Sequence, residues 1–202
     1  MTDPGSRRWA PRRLASTALI TVGSILLVSS GASVARGAIA RESARARWVE
    51  IEAHRAALGA RSRDGGVTDW TTARGSPIAQ LLIPKLGLDE VVVEGVDDAA
   101  LRAGPGHMVG SALPGDSGNA VLSAHRDRHF RSLDALAVGD TVVTDSERGR
   151  VVWRVTRIRV VDGDAPALRD SATPLLTLTT CWPIRYFGSA PDRLIVEARV
   201  VG

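Results

Sequence analysis

The chain has 202 residues and a formal net charge of +4, room for one medium domain plus appended segments. The basic excess is local: residues 1–76 hold twelve arginines against six acids, a net of +6, while residues 77–202 hold thirteen arginines and one lysine against sixteen acids, a net of −2. A main domain without cationic excess, in a chain only 4% aromatic, lacks the charge and the stacking platforms of a nucleic-acid binder, and nucleic acid is set aside as a partner.

In chain order, a basic N-terminus over residues 1–13 carries Arg7, Arg8, Arg12 and Arg13. Leu14–Ala35, "LASTALITVGSILLVSSGASVA", then runs 22 positions without a charge. As a helix it rises about 33 Å, enough for a hydrocarbon core of ~30 Å. The preceding arginines favour a cytoplasmic N-terminus. A cleaved signal peptide is the rival reading, because "SVA" and "AIA" resemble small-residue cleavage sites. Either way, residues 77–202 fall outside the cytoplasm, and the retained single-pass anchor is the favoured reading. Residues 36–76 begin with "RGAIARESARARWVEIEAHRAALGAR", Ala-rich and Pro-free, which predicts a helical stalk. They end in a polar, glycine-containing linker.

From Pro77 the texture becomes β. "IAQLLI", "DEVVVEG", "AVLSAH", "TVVTD", "RVVWRVTRIRVV", "LLTLTTC" and "RLIVEARVV" read as strands separated by turn residues. "DDAALRAG" predicts one helical turn capped by Asp97 or Asp98, and "HFRSLDALAVGD" a short helix stopped by Gly139. "PGHMVGSALPGDSGN" is dense in Gly and Pro and reads as loop. Short strands at this spacing predict an all-β domain over 77–202, a closed or nearly closed barrel.

Three residues at predicted strand ends carry chemistry: His125, Cys181 and Arg193. Acyl transfer to a thiol needs a nucleophile, an acid for the leaving group and a donor for the oxyanion. These three residue types supply them in that order: Cys181, His125, Arg193. If the last two strands pair antiparallel through their intervening loop, Cys181 and Arg193 meet at one rim. Taken singly, each residue has a plainer role as core filler, a backbone-bonded histidine or a solvated strand end. Only their joint placement favours chemistry. Cys181 is the sole cysteine, so an exported chain has no internal disulfide to account for it.

"TLTTC", an arginine after a loop and an upstream "AHRD" closely resemble the sortases, membrane-anchored cysteine transpeptidases of bacterial surfaces. The likeness covers essentially all of residues 77–202, including "IPKLGLDEVVVEGVDDAALRAGPGH", "ALPGDSGNAVLSAHRDRHFRSL" and "TLTTCWPIRYFGSAPDRLIVEA". It is greatest to the class D and Gram-negative-type members. It implies an eight-stranded sortase β-barrel with short helices, preceded by a transmembrane helix and stalk. It implies His125, Cys181 and Arg193 as the catalytic trio, cleaving an LPXTG-like motif of exported proteins and passing the acyl group to an amine on peptidoglycan or a protein lysine. The family often has Gly before the histidine where this chain has Ala124, and Tyr where it has Trp182. Those two and Thr180 are candidate auxiliary residues along the substrate groove.

The remaining polar residues suggest less. His107 and His129 lack partners at metal-ligand spacing, so loop packing is the better reading. Asp97 and Asp98 suit a helix cap more simply than a calcium site, and no cofactor is called for. Asp127 reads as a turn ion-pair partner. Two rivals to a transpeptidase stay open: a thiol peptidase resolving its thioacyl intermediate with water, and a non-catalytic anchored barrel binding peptides or lipids.

Overall fold

The computed structural model describes residues 10–59, 73–167 and 169–201. The basic residues 1–9 and the linker residues 60–72 lie outside that range. A single helix, α1 (Ala10–Gly59), runs unbroken through the predicted span and the predicted stalk. The chain divides into two compact units between Ile39 and Ala40. In the first unit the large apolar side chains, Leu19, Ile25, Leu27 and Val28 among them, are exposed. Among the described residues this is one helix long and apolar enough to cross a membrane.

The second unit holds the rest of α1 and the barrel. Arg41, Ala44, Arg45, Trp48, Ile51 and Arg55 recur along one helical face. Ala44 and Trp48 are buried against Val91, Val93 and Ala100. Arg41 binds Glu90 at 2.6 Å, Arg45 donates to the Asp89 carbonyl at 2.9 Å, and Arg55 to the Ser146 carbonyl at 2.7 Å. Residues 40–59 are therefore a brace on the domain wall.

The barrel comprises β1 (Pro77–Ile83), β2 (Leu88–Glu94), β3 (Gly106–His107), β4 (Asn119–Ser123), β5 (Thr141–Ser146), β6 (Gly149–Asp162), β7 (Leu175–Trp182) and β8 (Asp192–Val200). They close in the order β1-β2-β3-β4-β7-β8-β6-β5, the eight-stranded barrel expected, which leaves no free sheet edge. Side-chain alternation fills it. Ala120, Leu122 and Ala124, then Leu176 and Leu178, then Leu194, Val196 and Ala198 all enter one core with Phe130 and Trp153. Even-numbered positions of β4, β7 and β8 thus face inward, and odd-numbered ones face out.

Two local readings change and a third is narrowed to one of its alternatives. Gly106–His107, expected as loop, forms β3, parallel to β2 and antiparallel to β4. A side chain at Gly106 would collide with the Gly95 carbonyl and Leu101, so glycine here permits close strand approach rather than a turn. The helix expected after His129 is a single 3-10 turn, Leu133–Ala135. The helical turn is α2 (Asp98–Ala103), with Asp97 as its cap: one carboxylate oxygen accepts from the Ala99 and Ala100 amides.

Under the brace, burial alone would push the Glu90 carboxyl up. The hydrogen bond and charge of His129, then Arg41 and Arg45, outweigh it and hold Glu90 below the usual carboxylate range. Its stabilising contribution is therefore full above the unfolded value and is lost as pH falls through the lowered folded value. In Glu90→Gln the fall in melting temperature on acidification below about pH 5 becomes shallower. Parallel melts of both proteins check this; an unchanged slope removes Glu90 from the account.

Candidate active site

Strands β7 and β8 pair antiparallel with Cys181 directly opposite Arg193. Both are at odd positions and so share the outer face, and Cys181 is partly exposed with a free thiol. On the other side of β7, β4 runs parallel to it with Ser123 opposite Thr179. The last ladder bond is Ala124 N–H to the Thr179 carbonyl, 3.2 Å. His125 and Cys181 each lie two residues beyond the last paired positions, Ser123 and Thr179. The structure thus brings the three sequence-selected residues to neighbouring ends of adjacent strands. His125 itself lies two residues beyond β4, not at its last position, and starts a tight turn closed by Arg128 N–H and Phe130 N–H on its carbonyl (3.2 and 3.3 Å).

The flanking residues hold these ends in place. Arg193 Nε donates to the Gly163 carbonyl at 2.8 Å, leaving the terminal guanidinium nitrogens for another acceptor. Gly163 N–H in turn donates to Pro191 at 3.0 Å. A Cβ on Gly163 would lie 2.5 Å from that Pro191 oxygen, so any side chain must open the contact. Gly163→Ala is expected to lower kcat/KM about tenfold through a displaced Arg193, while the melting temperature falls only a few degrees. Steady-state kinetics beside a thermal melt test this; wild-type kinetics in the variant would mean that the Gly163 contact does not position Arg193.

His125 Nε2 is 3.6 Å from Asp98 Oδ1, and Asp98 also pairs with Arg102 one turn along α2. The sequence reading weighed Asp98 as a cap or a calcium ligand; nothing in spacing reveals that α2 approaches His125. It also missed Arg126, whose guanidinium reaches three carbonyls of the loop after Cys181. Thr180, Ala124 and Trp182, expected along the groove, occupy inward positions. Thr180 is buried and its hydroxyl donates to the Ala124 carbonyl at 2.7 Å; Ala124 is in the core and Trp182 packs against it. They shape the site from behind the wall.

A second polar chain has the order of a hydrolase triad: Glu94 to His107 Nδ1 at 2.8 Å, and His107 Nε2 to Ser111 Oγ at 2.9 Å. It is not built to react. The same Nε2 faces the Ala112 carbonyl at 2.9 Å, so it carries its hydrogen there. The Ser111 hydroxyl donates to Met108 at 2.7 Å and accepts from Val121 N–H at 3.2 Å. No nitrogen remains to take the serine proton, and the cluster fastens β3 to its following turn. His129 is likewise packed, its Nδ1 3.4 Å from Glu90 and 3.3 Å from Arg41.

A family model described as a sortase domain matches residues 81–201. Over 123 residues the chain is 35% identical to sortase D of Bacillus subtilis (strain 168), a match spanning 60% of this chain and 62% of that relative's length. Among solved structures it is similar to a Clostridium perfringens sortase D5 transpeptidase, with a TM-score of 0.58, 29% identity, and 64% of this chain and 82% of that one covered. The catalytic domain of B. anthracis SrtD gives a TM-score of 0.56 and 35% identity over 70% of this chain and 97% of that one. With barrel order, motif wording and domain match in agreement, the chain belongs to the sortase family and is most like its class D members.

Proposed function

We propose that this protein is a membrane-anchored cysteine transpeptidase whose catalytic trio is Cys181, His125 and Arg193. The observation that supports it most is the pairing of Cys181 with Arg193 on the outer face of β7 and β8, with the β4 end bringing His125 to the same rim. The Cys181 thiolate attacks the carbonyl carbon of a scissile peptide bond, and Arg193 donates to the oxyanion. As the C–N bond breaks, protonated His125 gives its proton to the departing amine, leaving a thioester on Cys181 and a neutral imidazole. A second amine then attacks the thioester carbonyl; His125 takes its proton, and the Cys181 thiolate leaves. The cycle needs no cofactor.

The proposed substrates are exported proteins with a C-terminal LPXTG-like motif, and the acceptor is an amine of peptidoglycan or a protein lysine. The uncharged helix over residues 14–35 is the proposed single-pass anchor in the plasma membrane, with the barrel extracytoplasmic.

The test uses the full chain in detergent micelles with a library of LPXTG-like peptides and a small amine, followed by mass spectrometry. A thioester mass on Cys181 and an amine-linked product, both absent in Cys181→Ala, are expected. Cleavage without transfer would make the protein a thiol peptidase. No adduct with any peptide, together with an unreactive Cys181 towards iodoacetamide, would leave a binding module.

A further inference from the structure

The parallel ladder between β4 and β7 stops at the Ala124–Thr179 bond, yet both proposed reacting residues lie beyond it. Two side chains continue the join. On the inner side Thr180 bonds the Ala124 carbonyl. On the loop side Arg126, the residue after His125, donates from Nη1 to Pro183 at 3.3 Å and from Nη2 to Tyr186 at 3.1 Å and Gly188 at 2.6 Å. Its guanidinium carbon also lies 5.7 Å from the centre of the Tyr186 ring.

The two sides of this clamp differ in rigidity. The His125–Phe130 turn is seated by a fully buried Phe130. The loop after Cys181 is tied at one end by buried Ile184 and at the other by Pro191 to Gly163. Between them Arg185–Ser189 are exposed, Phe187 completely so. Converging carbonyls at three positions suit a planar fork with several donors; a lysine ammonium on a flexible stem does not reproduce it.

We propose that Arg126 is a positioning residue that locks the loop after Cys181 to the His125 turn, and so sets the alignment of His125 with the bond being broken. This rests on the reading of Cys181 and His125 as the reacting pair. A misplacement on the order of 1 Å at such a site costs about 100-fold in rate. The loss falls on the step that needs the His125 proton, namely amine departure. A phenolate leaves without that proton, so an aryl ester of the same acyl peptide bypasses the step.

The experiment uses the full chain in detergent micelles, as wild type, Arg126→Ala and Arg126→Lys. Each is given an LPXTG-like peptide amide and the matching LPXT aryl ester, with hydrogen exchange measured in parallel. For Arg126→Ala, single-turnover acylation by the amide is expected to slow about 30- to 100-fold, while acylation by the aryl ester, read as phenolate release, slows less than about fivefold. Arg126→Lys should recover only a minor part of the amide rate. Amides of residues 183–191 should exchange about tenfold faster, with β1 and β2 unchanged. Equal losses on amide and ester, or no loss on either, overturn the proposal. If wild type turns over neither peptide, the proposed reaction fails, and exchange alone judges the clamp: unchanged protection at 183–191 overturns it.

Discussion

Replacing Arg193 is expected to lower kcat/KM for an LPXTG-like peptide by about 10²- to 10³-fold, the usual cost of losing one oxyanion donor. The expectation follows from what its guanidinium is already doing. Nε is committed to Gly163, so the side chain is held from behind, and the residue lies opposite Cys181 in the ladder. Lysine has one ammonium group for both tasks and no planar fork. Arg193→Lys is therefore expected within about tenfold of Arg193→Ala, not midway to wild type. Because Arg193 is only partly buried, either variant should keep its stability within about 1 kcal/mol. Kinetics with thioester trapping decide the matter. A lysine variant within about threefold of wild type would reduce Arg193 to a source of positive charge and end its role as a directed donor.

The second large effect concerns the brace. Removing residues 1–59 strips Ala44 and Trp48 from Val91, Val93 and Ala100 and takes Arg41 and Arg45 from Glu90. Loss of a buried tryptophan alone costs about 3–5 kcal/mol. For a domain of this size that corresponds to a melting temperature lower by about 10 °C or more. A fragment of residues 60–202 should melt that far below one of residues 40–202, and Trp48→Ala within the longer fragment should reproduce most of the gap. Coincident melts would mean that the helix rests on the barrel without stabilising it.

Much of the fold was legible because it is periodic. Alternating apolar residues in "LLTLTTC" and "RLIVEARVV" announce two strands, and their loop is short enough to pair them antiparallel. The opposition of Cys181 and Arg193 follows from that pairing. Where local chemistry had two uses the sequence misled: the glycine of "PGHM" serves a close strand approach at β3, which composition cannot distinguish from a turn. The short helix after His129 reduced to one 3-10 turn because Phe130 and Leu133 are drawn fully into the core, and packing overrode propensity.

Taken alone, the sequence determined the family, the barrel, the uncharged N-terminal segment and the three residues proposed for acyl transfer, because each depends on residue type and short-range periodicity. Tertiary structure alone decided that His125 meets Asp98, that Arg126 spans to the loop after Cys181, that Gly163 backs Arg193, and that residues 40–59 brace the wall. Each of these joins residues more than 25 positions apart through side-chain reach or backbone carbonyls. A carbonyl is offered by every residue type, so no pattern of letters reveals which one an arginine will find.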